Sequence, residues 1–192
     1  MAKLFGNLHL VLMAGLAFAI VVMVAYAPSA PVDVNSVLRW LHTFFGIVWI
    51  GLLYYLNFVQ VPTMPSVPAE LKKGVTGYIA PKVFFYFRYA ALLTVILGLI
   101  IAFHNGYGAK ALTFGGEGMD GINLIGLGMW LAIIMFLNVW LIIWPAQQKI
   151  LGLVEASDEA KAAAAPRALA ASRTNLMLSL PMLYCMVSAN LG

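Results

Sequence analysis

The chain is 192 residues long, 63% hydrophobic and only 9% charged, with a mean hydropathy of +0.94. Soluble domains carry about 25% charged residues, so an ordinary soluble fold is excluded, and the net charge of +4 reads as topology signal and headgroup contact, not as nucleic-acid binding. The single cysteine, Cys185, cannot form an intrachain disulfide, and without a Cys-x-x-Cys-His run covalent haem attachment is excluded too.

Five stretches lack Asp, Glu, Lys and Arg: Leu4 to Val32, Trp40 to Ala69, Tyr89 to Ala109, Gly121 to Gln148 and Thr174 to Gly192. A helix needs roughly 20 apolar residues to cross about 30 Å of hydrocarbon, and all five are long enough, the last narrowly. The predicted fold is all-α, a polytopic membrane helical bundle of one domain over 1–192. Its five transmembrane helices fall at about 8–27, 38–61, 84–104, 122–145 and 174–191. The first apolar run mimics a signal peptide, but at about 20 residues it exceeds the usual 7–15 of such a core and is read as the first span.

Pro62, Pro65 and Pro68 are expected to stop the second helix, and Pro145 to stop or bend the fourth. Between the third and fourth spans, Asn105 to Gly121 holds six glycines and predicts an irregular loop over the bundle. Ser157-Asp158-Glu159 and the alanines up to Ala165 predict a capped helix, with Pro166 beginning or kinking its continuation. Lys72, Lys73, Lys82 and Arg88 follow the second span, and Lys149, Lys161, Arg167 and Arg173 follow the fourth. The other two connections carry only Arg39 and Lys110. The positive-inside rule then places the rich segments and Lys3 in the cytoplasm. The expectation is a multi-pass protein of a bacterial inner membrane, N-terminus in and C-terminus out. A faint repeat also runs through it: Trp49 and Asn57, like Trp130 and Asn138, are followed by a proline (Pro62, Pro145) and then an arginine (Arg88, Arg173).

Three histidines are candidates for chemistry. His9 starts the first helix on the inner side, while His42 and His104 share a depth near the outer face. Two neutral imidazoles on neighbouring helices can hold a non-covalent haem iron, which makes His42 and His104 candidate metal ligands. Around His42, Trp40, Phe44, Phe45 and Trp49 offer an apolar wall, and Gly46 a gap where a flat macrocycle could approach the backbone. Gly46 and Trp49 therefore join the candidate cofactor site. Arg88 and Arg173 read as snorkelling cations, with anion binding as the alternative. Asn57, Gln60, Asn138 and Asn175 read as interhelical hydrogen-bonding groups. No Glu-x-x-His, His-x-x-x-His or cysteine cluster points to zinc or di-iron.

Leu38-Arg39-Trp40-Leu41-His42, Gly46 to Tyr55, Asn57-Phe58-Val59 and Pro62 resemble the membrane domain of the bacterial membrane-bound urate oxidases. So do Phe87-Arg88, Ile134-Met135, Asn138-Val139, Pro145 with Gln147, and Asn175 with Leu180-Pro181. The resemblance runs from about Asn35 to Ser188, and the His-then-Trp-x-Gly helix is more distantly similar to haem-binding membrane protoporphyrinogen oxidases and copper-resistance D-type proteins. In the urate oxidase family the domain has more helices and is fused to a C-terminal cytochrome c, which implies electron transfer from urate to haem. Where that family carries further histidines, this sequence reads Asn123-Leu124-Ile125-Gly126, Ser172 to Asn175 and Ser188-Ala189-Asn190, so only His42 carries over. The functional expectation is haem-b-linked electron transfer near the outer face, with the lipid bilayer and a cytochrome or another membrane protein as partners. The alternative is a non-catalytic accessory subunit of a larger membrane complex.

Overall fold

A computed structural model describes residues 5–118 and 120–189. Lys3 and Asn190, both used above, lie outside them. The chain separates into two compact units, residues 1–37 and 38–192. Among the described residues the structure is all-helical, and four helices are long and apolar enough to cross a membrane.

In the first unit, α1 (Leu8–Tyr26) opens on Asn7, whose side chain accepts from the backbone N–H groups of His9 and Leu10. It is apolar on every side and buries none of its residues, the pattern of a helix whose surroundings are themselves apolar. Asp33 and Ser36 then cap each other: Ser36 N–H donates to Asp33 Oδ1 at 2.7 Å, and Asp33 N–H to Ser36 Oγ at 3.0 Å.

That capping box starts α2 (Val34–Ser66). The helix does not stop at Pro62 or Pro65; it runs through both, and the break comes at extended Val67, before Pro68. At Pro62 the reason lies in a π-helical turn, Tyr55–Gln60, while Pro65 falls in the closing 3-10 turn, Met64–Ser66. A proline lacks the N–H for the carbonyl four residues back, and its ring clashes with that carbonyl. A wider turn moves the carbonyl aside. The same device occurs twice more, at Val75–Ile79 before Pro81 and at Val139–Ile143 before Pro145. In each case the obstructed carbonyl (Phe58, Gly77, Leu141) sits inside the π turn. Pro81 thus lies within α3 (Ala69–His104) and Pro145 within α5 (Gly121–Ile150). The third helix begins some fifteen residues before its expected start at 84, so Lys72, Lys73 and Lys82 are helical, not in a loop.

The glycine-rich connection holds more order than expected. A short α4 (Gly108–Leu112) packs on the start of α5, where a Cβ at Gly126 would collide with the Ala111 carbonyl. Trp130 donates its indole N–H to Leu112 O at 2.9 Å. Gly118, at φ +63°, turns the chain into the Asp120 cap, and Asn123 ties the loop down through Gly116 N–H and Gly118 O. The last helix, α6 (Asp158–Ser188), is continuous across Pro166 and Pro181, so the Ser157-capped helix and the expected last span, as far as Ser188, are one element.

α2, α3, α5 and α6 pack around Trp49, Leu53, Phe87, Met135 and Val139. Three side-chain ties fasten α6 to this core. Asn138 Nδ2–H donates to Asn175 Oδ1 at 2.7 Å and to Ala171 O, and Asn175 Nδ2–H to Met135 O at 3.0 Å. Asn57 Nδ2–H donates to Ser172 Oγ at 2.9 Å, and the Tyr54 and Ser179 hydroxyls meet at 3.2 Å. The two repeat asparagines therefore do the same work, while the repeat tryptophans diverge: Trp49 is fully buried and Trp130 is exposed. Arg88 sits well inside α3, its guanidinium carbon 3.7 Å from the centre of the Trp144 ring and 5.0 Å from that of Tyr89. A desolvated arrangement of that kind contributes about 2 kcal/mol.

Asn175→Leu keeps the branching at Cγ, with bulkier methyl groups, but removes the donor to Met135 O and the acceptor for Asn138. The expected loss is about 1–2 kcal/mol, read from reversible unfolding in mixed micelles.

Candidate functional site

In the half of the second unit where α4 caps α5, the four helices part around a cavity of about 880 Å³. That is within the range of small-molecule and cofactor sites, roughly 300–1,000 Å³. His42 lines it, half-buried, from α2. Its Nδ1 lies 2.9 Å from the backbone carbonyl of Thr94 on α3. A carbonyl only accepts, so Nδ1 carries the hydrogen, and in the neutral ring the lone pair is left at Nε2. Among the described residues nothing is bonded to Nε2. A backbone carbonyl holding one imidazole nitrogen while the other is free is the arrangement that orients histidine ligands towards metals.

Gly98 allows this seating. A Cβ there would lie 2.9 Å from His42 Cε1 and 3.3 Å from Nδ1, so the ring rests directly on the α3 backbone. Gly46, one turn along α2, is less constrained: a methyl would touch only Thr94 Cγ2, at 3.8 Å. It leaves open space beside the cavity, with Trp49 below it. Trp49 is fully buried, and among the described residues its indole N–H has no partner. His42, Gly46 and Trp49 all line the cavity. His104, the other expected ligand, is exposed at the end of α3 and does not line it.

Several lining residues were not singled out from the sequence. Arg39 stands one turn before His42 on the same face of α2, and Tyr107 faces it from the connection after α3. Burial pushes the Tyr107 phenol above its ordinary range and the nearby Arg39 charge pulls it partly back, so a neutral hydroxyl and a guanidinium share that edge. Met182 and Met186, at i and i+4 on α6, and Met129 on α5 bring thioethers. The Arg39–His42 spacing was a visible signal; the α3, α5 and α6 contributions had none. Ile47 on α2 and Val187 on α6 line the cavity yet are 68% and 79% exposed, which marks an apolar lateral opening between those helices. Among the described residues no three His, Cys, Asp or Glu side chains cluster as a metal site.

A family model described as urate oxidase N-terminal matches residues 88–192. No curated protein and no solved structure matches the chain.

The seating of His42 on Gly98 is open to a paired test. Glycine to alanine inside a helix gains about 0.5–1 kcal/mol, and Gly51, with open space around its Cβ position, should show that gain. At Gly98 the clash, about 1–3 kcal/mol, outweighs it, so Gly98→Ala should unfold at lower temperature than the parent while Gly51→Ala does not. Equal stability of the two variants would mean the ring is not seated there.

Proposed function

We propose, from the premise that the chain belongs to the urate oxidase N-terminal family, that it is a membrane-embedded electron-transfer module using non-covalent haem b. The observation that carries the reading is His42: Nδ1 is fixed to the Thr94 carbonyl and Nε2 is unbonded beside a cofactor-sized cavity. His42 would take the iron, Gly46 would leave room for the macrocycle edge, and Arg39 with Tyr107 would receive the propionates at the charged edge. Bound haem supplies a one-electron couple, tuned by its axial ligands and by burial. The protein's part is to orient the ligand, keep the site apolar and set its distance from a redox partner, a soluble cytochrome or a partner oxidase. At the start of α5, where the family resemblance points to histidine, Asn123 is engaged with Gly116 and Gly118, which supports electron transfer through a single imidazole over a copy of the family's urate chemistry.

The proposed topology is five crossings in a bacterial inner membrane, with the α6 segment from Thr174 to Ser188 as the fifth. The N-terminus is inside and the C-terminus outside, and the cavity lies towards the outer face. The Lys and Arg distribution supports it.

Two measurements test this reading. The purified protein, supplied with haem, should show a Soret band and sharpened α and β bands on reduction. His42→Ala should lose the haem or turn high-spin, while His104→Ala, outside the cavity, should match the parent; a wild-type protein that takes up no haem ends the proposal. For the topology, a cysteine placed at Gly116 in a Cys185→Ala background should react with an impermeant maleimide from outside the cell, and one at Lys73 only after permeabilisation. The reverse pattern would invert the protein.

A further inference from the structure

At the other end of α5 a smaller hollow, about 220 Å³, opens between α5 and α6. Its floor is alanine: Ala146 and Ala164 are buried, and Ala160 and Ala163 complete it. These short side chains leave a notch between the helices, and two long cations line it, Lys149 from α5 and Arg167 from α6. Both are exposed. Neither is neutralised by a carboxylate: the ion pair among the described residues joins Lys161 to Asp158 at 3.4 Å, and no Asp or Glu lines the hollow. Two like charges directed at one concavity repel each other, and an anion seated between them removes that repulsion. The remaining wall is apolar. Leu141, 65% exposed, continues it with Ile142 and Pro145 onto the outer surface of α5.

We infer that this hollow binds the phosphate of an anionic phospholipid. The phosphodiester lies between Lys149 and Arg167, and an acyl chain runs over Leu141 and Ile142. Phosphate chemistry alone would also admit free phosphate. The apolar wall joined to the cation pair distinguishes the lipid, because a free anion gains nothing from Leu141. A zwitterionic headgroup brings its own ammonium to the site and forfeits most of the attraction. Basic pockets between membrane helices recognise anionic headgroups in this way.

The test uses the full chain, delipidated in mild detergent and read by native mass spectrometry with phosphatidylglycerol, phosphatidylcholine of the same acyl chains, and inorganic phosphate. Two cations at the contribution usual near a lipid surface predict about 30-fold stronger retention of phosphatidylglycerol than of phosphatidylcholine. Lys149→Gln with Arg167→Gln should abolish the preference, and Lys72→Gln with Lys73→Gln, the same change of charge elsewhere, should keep it. The swapped pair, Lys149→Arg with Arg167→Lys, keeps both charges and should bind as the parent does, which separates loss of the site from loss of the fold. Equal retention of the two lipids, equal loss in the two neutral pairs, or failure of the swapped pair overturns the assignment. So does displacement of phosphatidylglycerol by equimolar inorganic phosphate, which would make the hollow a free-anion site.

Discussion

A backbone carbonyl left without a donor in an apolar medium costs several kcal/mol, and prolines create that situation wherever they interrupt a helix. This chain places Pro62, Pro81 and Pro145 inside long apolar helices and meets each with a π-helical turn that ends two residues earlier. Continuity of α2, α3 and α5 depends on this accommodation. A π turn also rotates the residues beyond it relative to an unbroken helix. Asn57 lies within the first such turn and Asn138 immediately precedes the third, and both amides bond to the same partner, α6.

That convergence divides the second unit into a closed half and an open one. In the closed half, aromatic and methionine packing surrounds the asparagine ties, and Arg88 is sheathed by rings instead of carboxylates. Where the ties end, the helices are free to separate, and the cavity occupies that space with His42 on its wall. The small residues follow the same division. Gly98 admits the imidazole to the α3 backbone, and Gly126 admits α4 to α5. One glycine seats a ligand-type side chain; the other closes the bundle end beside it.

His42, Gly46 and Trp49 were legible as a group because they stand at i, i+4 and i+7 on one helix, and a single helix face needs no tertiary knowledge. His104 was chosen for its depth, and depth says nothing about direction. At 3.6 residues per turn, position 104 points about 120° away from Gly98, whereas Thr94, Gly98 and Ile101 share the face that lines the cavity. The helix ends were misjudged for a related reason. Proline rules describe a regular α-helix, and a π turn placed before the proline falls outside them.

The sequence by itself determined that the chain is helical and apolar enough for a membrane, which family it resembles, and that His42, Gly46 and Trp49 share one face of a helix. These follow from composition, from run length and from a local motif. Only the tertiary structure decided that the capped helix at Ser157 and the last apolar stretch are one element, that Asn57 and Asn138 converge on α6, and that Thr94 and Gly98 complete the His42 site while His104 stands outside it. Each of those depends on which faces of separate helices meet. That is set by the summed packing of residues far apart in the chain, and no local pattern encodes it.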